Sequence, residues 1–237
     1  MSISPARTGN LCPVASRSGG IHLARDEPAD AHSAGLAIGG ILSGCFGGEE
    51  RAESPKLGLC ETLLGAKDVE AAVKTTGDSD AEVGGTPQAD VLVERLVREA
   101  KQSQESDLQR TRYTGCRVDA FEGDEISGTV DATVKWSALS LGMMDSPEGS
   151  RTWRKAKPTV YVEPEAAPGP MRLIAACAVP GTIEFQPSDL PLQFDVSGAS
   201  PGTELRWALL STFARSIVKE MDYMKPPFIP SALPAAA

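Results

Sequence analysis

The chain has 237 residues, 41% of them hydrophobic and 23% charged, with a formal net charge of −9. That is enough for one large or two small domains of ordinary globular composition. The acidic balance repels phosphate backbones and argues against generic nucleic-acid or anionic-membrane binding, and no apolar run reaches the roughly 18 residues that cross a bilayer as a helix.

Residues 1–33 show no apolar periodicity and read as a polar tail. Asp26, Glu27 and Asp30 cancel Arg7, Arg17 and Arg25, whereas the basic start of an export signal is short and net positive. An internal start near Val14 or Leu23 would remove that conflict. Ala34 to Leu42 is an unbroken run of apolar residues and glycines that ends in Leu42-Ser43-Gly44-Cys45. Three glycines in nine residues and no alternation make it a weak strand. It reads better as the end of an export signal. The expected organisation is a processed or disordered segment over 1–44, a linker over 45–56, one globular domain over 57–230 and a disordered tail over 231–237.

Within the domain, Leu63, Leu64, Val69 and Val73 have helical spacing, with Gly77 as a stop. Thr86 is a suitable N-cap and Pro87 a suitable first helical residue. The stripe Leu92, Leu96 and Ala100, joined by Val93 and Val97, then predicts a helix from about Pro87 to Glu105. A strand over Arg112–Phe121 turns through Glu122–Glu125 into an alternation of Ile126, Gly128, Val130, Ala132, Val134 and Trp136 with polar residues. Period two over this length predicts a half-buried antiparallel strand, so the two form a hairpin. Leu141–Pro170 reads as loop around a short strand over Pro158–Glu163, and its cations Arg151, Arg154, Lys155 and Lys157 as a solvated stretch. Met171–Val179 is the next strand, and Leu190, Leu192, Phe194 and Val196 alternate in another. Ser200-Pro201 repeats the cap seen at Thr86-Pro87. The following helix places Trp207, Leu210, Ala214, Ile217, Met221 and Met224 on one face, before Pro226-Pro227 ends it. The fold class is α+β: an antiparallel sheet with two long helices packed on one face. Each half holds a Cys strand, a longer alternating strand and one capped helix, which suggests a duplicated helix-plus-hairpin unit.

The chemistry is marked by what is missing. Both histidines, His22 and His32, precede Cys45. Cleavage there leaves no His for triads, dyads or metal ligation. No phosphate loop, dinucleotide fingerprint or nucleophile elbow occurs, and "DSDAEVGG" from Asp78 lacks calcium-loop spacing. No catalytic residue, metal or cofactor is therefore expected. Asp119, Glu122, Asp124 and Glu125 read as a solvated turn. The cysteines are Cys12, Cys45, Cys60, Cys116 and Cys177, with no Cys-x-x-Cys pair. In an exported protein spaced cysteines read as disulfides. Cys60–Cys116 is the favoured pair, with Cys177 a buried thiol; Cys116–Cys177 is the competing pair.

Leu42-Ser43-Gly44-Cys45 resembles a lipobox, the site at which signal peptidase II cuts before a diacylglyceryl-modified Cys. Residues 42–230 resemble the small lipoproteins and exported proteins of actinobacteria. The likeness rests on "LCETLLGAKDVEAAV", "GCRVDA", "ACAVPG" and "LRWALLSTFARSIVKEM". The resemblance implies lipidation at Cys45 and a lipid anchor on the extracellular face of the cell membrane. It also implies an unknown envelope ligand or partner and no established activity. In this family a further Cys after the last helix pairs with the Cys of the "CAVPG" strand; here Met221–Lys225 contains none. The expected function is binding or scaffolding in the envelope, with the loop around Trp153, Arg151 and Arg154 as the candidate surface. Trp153 is either exposed there or covers the sheet edge. The alternatives are an exported hydrolase using carboxylates alone, and a cytoplasmic protein with a polar tail.

Overall fold

The computed structural model describes residues 57–75, 81–86, 88–102, 109–122, 124–163, 169–198, 201–221 and 226–234. All lie in the compact unit Glu49–Ala237. Cys45, with Leu42, Ser43 and Gly44, and the 45–56 linker fall outside the described residues, as do Pro87, Ser200 and Met224. In chain order the elements are α1 (Leu57–Leu64), α2 (Ala66–Thr75), β1 (Ala81–Gly84), α3 (Ala89–Gln102), β2 (Tyr113–Glu122), β3 (Glu125–Trp136), α4 (Leu141–Met144), α5 (Gly149–Thr152), β4 (Arg154–Lys157), β5 (Val160–Glu163), β6 (Met171–Ala175), α6 (Gln186–Asp189), β7 (Leu192–Ser197) and α7 (Thr203–Glu220). The seven strands form one open sheet in the order β1-β2-β3-β7-β6-β5-β4, and every neighbouring pair is antiparallel. The fold is therefore α+β. The hairpin β2–β3 and the pair β6–β7 meet along β3 and β7.

Helices cover one face of the sheet. Val130, Ala132, Val134 and Trp136 of β3 point there, with Leu192, Phe194 and Val196 of β7, and all are 2% exposed or less. Leu92, Leu96 and Ala100 of α3 meet them with no exposure, as do Leu210, Ala214 and Ile217 of α7. The 3.6-residue and 2-residue periods read from the sequence thus describe two surfaces in contact. The Trp136 indole N–H donates to the Leu96 carbonyl at 3.0 Å, which fixes α3 on the sheet. Phe213 crosses Phe194 edge to face at 5.8 Å. It also passes so close to β2 that a Cβ on Gly115 would lie 2.7 Å from its ring. Only glycine fits there.

Cys60 of α1 and Cys116 of β2 form a disulfide with Cα atoms 5.5 Å apart. It ties the start of the domain to the sheet, as favoured from the sequence. Cys177 takes no part in it and is buried in the same core.

Several elements differ from the sequence expectation. The single helix over Leu59–Val73 is broken at Gly65, whose φ of +87° leaves the helical region, so α1 and α2 are separate. α3 begins at Ala89, two residues after Pro87, and α7 at Thr203 behind Gly202 rather than at Ser200-Pro201. The cationic stretch read as solvated loop is in part the edge strand β4, and lysines on an edge discourage pairing with another chain. Beyond α7, Ile229 is buried and Leu233 packs on the core, while the Trp207 indole donates to the Ser231 carbonyl at 3.1 Å. No helix among the described residues is long and apolar enough to cross a membrane.

Candidate functional site: the polar face of the sheet

Strand alternation sends the intervening residues to the face opposite the helices. Register aligns Thr114, Thr133, Asp195, Arg172 and Glu163 in one row across β2, β3, β7, β6 and β5. The adjacent row is Arg117, Asp131 and Ser197. Four carboxylates, Asp119, Asp131, Asp195 and Glu163, are thereby brought from four separated sequence segments onto one surface.

Part of this face is covered. Trp153 and Met144 pack with Tyr161 and Ile174 in a second small core, with Leu139 and Leu141 against it. Ser140 caps α4 by accepting from the Met143 N–H at 3.3 Å. Lys155 lies over the Tyr161 ring at 5.2 Å and pairs with Asp145 at 2.9 Å. The α4–α5 segment is thus a cover over one end of the polar face, and the carboxylate rows begin where it stops.

Inside those rows, solvent is largely excluded. Thr133 is 3%, Asp195 4% and Glu163 8% exposed. Gln193 Nε2 donates to Asp195 Oδ1 at 2.7 Å, while Asp195 Oδ2 has no hydrogen-bond donor and lies 3.7 Å from the half-exposed Arg112. Arg172 Nε comes within 3.0 Å of Glu163 Oε2, but their alignment gives no hydrogen bond and both atoms remain unmatched. Asp131 Oδ1 is also buried without a donor. Asp119 is better served: Arg117 Nε donates at 2.9 Å and the Thr129 hydroxyl at 2.7 Å.

The carboxyls respond accordingly. Burial pushes Asp131 above the usual carboxylate range; the charges of Arg117 and Arg112 oppose this, and those of Asp119 and Asp195 add to it. Burial likewise raises Glu163, against the pull of Arg172 and with the push of Asp195. For Asp119 burial is outweighed by the hydrogen bonds from Arg117 and Thr129, which hold it below that range.

The loop residues singled out from the sequence do not form one surface. Trp153 is 6% exposed and faces the sheet, so the reading in which it covers the sheet describes it. Arg151 is exposed on α5. Arg154 stands opposite Val162, on the helix-covered side. No group of three His, Cys, Asp or Glu among the described residues is arranged to hold a metal ion. The row residues Asp131, Asp195, Glu163 and Arg172 escaped the sequence reading. The available signal was their polar phase within otherwise apolar alternations, such as Asp195 between Phe194 and Val196.

The unmatched atoms of this face are Asp131 Oδ1, Asp195 Oδ2, Glu163 Oε2, Arg172 Nε and the Tyr161 hydroxyl, with Asp195 and Glu163 ion-paired to Arg112 and Arg172. Compared with known family models, curated proteins and solved structures, the chain matches none.

Proposed function

We propose that this chain is a lipid-anchored cell-envelope protein whose domain has a binding or scaffolding role in the envelope. The Cys60–Cys116 bridge carries this reading. It joins residues 56 apart inside the core, and such bonds persist in oxidising compartments and are rare in the cytosol. The Leu42-Ser43-Gly44-Cys45 sequence supports the anchor. A diacylglyceryl group with one further acyl chain meets the two-chain requirement for stable membrane attachment. The test is metabolic labelling of expressing cells with a clickable palmitate. The wild-type chain is expected to take up label in the membrane fraction, and Cys45→Ala to take up none. An unlabelled wild-type chain recovered from the cytosol with residues 1–33 intact would overturn the anchor.

A second reading, the exported hydrolase using carboxylates alone, is favoured by the raised Asp131 and Glu163, since a general acid must hold its proton near the working pH. Turnover of a chromogenic glycoside by the wild type, lost in Glu163→Gln, would bring it forward.

A further inference from the structure

We propose that the end of the sheet carrying Met143, Ile183, Phe185 and Phe228 rests on a lipid bilayer and inserts these side chains among the headgroups. The inference goes beyond the anchor proposed above and rests on it for the choice of a bilayer. Placement carries it first. One row of strand ends crosses the sheet: Trp136 of β3 faces Leu192 of β7, Leu192 faces Ala175 of β6, Ala175 faces Val160 of β5, and Val160 faces Lys157 of β4. The four apolar residues all belong to segments at this row. α4 with Met143 follows Trp136, and the loop with Ile183 and Phe185 joins Ala175 to Leu192. α4 packs against α6, directly behind Phe185. The Lys157 ammonium lies 5.1 Å from the centre of the Phe228 ring. All four side chains are more than half exposed. Among the described residues the other large apolar side chain so exposed is Ile126, in the β2–β3 hairpin at the opposite end. Single exposed apolar residues are ordinary; four gathered at one end mark an interaction surface.

Construction is the second observation. The buried Gln186 holds the loop from beneath. Its Oε1 accepts from the Val179 N–H at 2.9 Å and from the Thr182 hydroxyl at 3.3 Å. Its Nε2 donates to the Cys177 carbonyl at 3.0 Å and to the Leu190 carbonyl at 2.9 Å. Gln186 thus fills the inside of the loop, and Ile183 and Phe185 are displayed outward on a fixed backbone. A surface held in place before contact loses little freedom on binding.

The anchor names the occupant. Cys45 lies 12 residues before Leu57. Fully extended, that stretch reaches about 40 Å, about the diameter of a domain of this size. A lipid on Cys45 therefore keeps the domain against the membrane, and its apolar end gains most by meeting it. Glu184 stands between Ile183 and Phe185, and Lys157 beside Phe228, so the surface is close to balanced in charge. The Lys157 ammonium reaches headgroup phosphates while the ring enters beneath it. Insertion then depends on apolar side chains and not on anionic lipid, which accords with an acidic chain.

The test is flotation of the full chain carrying Cys45→Ser with phosphatidylcholine vesicles at millimolar lipid. The run Ala34–Leu42 remains in this chain, so the comparison of variants carries the result. The parent is expected to float with the vesicles, and the double variant Ile183→Ser, Phe185→Ser to partition at least tenfold more weakly. Both side chains are exposed, and circular dichroism checks that the fold is kept. Ile126→Ser removes an equally exposed apolar side chain from the other end and is expected to partition as the parent does. The proposal is overturned by a folded parent that stays with the soluble fraction, by a double variant that floats equally, or by an equal loss in Ile126→Ser. Partition that needs anionic lipid and vanishes at high salt also overturns it. Self-association of the parent that the double variant loses, without vesicle binding, assigns the surface to a second copy of the chain and overturns the bilayer. Palmitate labelling reports on the anchor independently, so failure of one test leaves the other readable.

Discussion

The two faces of the sheet are built from the same strands and share the same backbone hydrogen bonds, yet they do different work. On the helix side, Val130, Ala132, Val134 and Trp136 give up their exposure to α3 and α7. A valine such as Val130 or Val134 contributes roughly 1.5–3 kcal/mol by leaving water. On the other side, Thr133 and Asp195 are almost as hidden, at 3% and 4% exposure. There burial costs free energy, because charged oxygens leave water without full replacement of their hydrogen bonds. Equal burial therefore has opposite consequences. The helix side holds the fold together, and the polar side carries interactions that remain incompletely matched.

The comparison is broken most easily by damage to the helix side. Removing the bridge with Cys60→Ala and Cys116→Ala releases a loop of 56 residues in the unfolded chain. The chain-entropy account then expects a loss of about 4 kcal/mol, read as a lower denaturation midpoint in urea. A loss under about 1 kcal/mol would mean that α1 is held by packing alone. Next in size is Trp136→Phe. It removes the hydrogen bond to the Leu96 carbonyl and leaves a void in a fully buried site. The expected loss is about 2 kcal/mol, with the sheet retained by circular dichroism. If the substitution is neutral, α3 does not depend on that contact.

The helix side was largely legible in the sequence, and the polar side was not. Hydrophobic periodicity is a local signal. Leu92, Leu96 and Ala100 announce their shared face without knowledge of the sheet, as do Leu192, Phe194 and Val196. Cys60–Cys116 was favoured over Cys116–Cys177 for where it would tie the chain, and the structure has that bridge. The carboxylate rows depend instead on which strands are neighbours. Asp131 and Asp195 come onto neighbouring rows because β3 pairs with β7, and Glu163 falls in the row of Asp195 because β6 and β5 follow. Nothing within any one strand encodes that order. β1 was missed for a related reason: four residues ending in Gly84 carry too little pattern, and their strand character comes from pairing with β2. Gly65 was read through because helical spacing continues on both sides of it, and only its positive φ divides α1 from α2.

The smallest effect sharpens the comparison most, because its sign differs from the others. Asp131 carries a carboxyl whose proton affinity is raised in the folded protein, chiefly by burial. Between its ordinary and its raised value the folded state binds more protons than the unfolded state. Stability therefore falls as pH rises through that window, and at neutral pH the full cost of the buried charge is present. Asp131→Asn removes the charge and keeps the shape. The variant should be more stable than the wild type at neutral pH, by about 0.5 kcal/mol. Its advantage should vanish as pH drops below the ordinary carboxylate value, where both states of the wild type are protonated. Urea denaturation at several pH values measures both points. A variant less stable at neutral pH would mean that the attraction of Arg117 and Arg112 outweighs burial. The polar face would then support the fold as the helix side does, and the division between the two faces would fail.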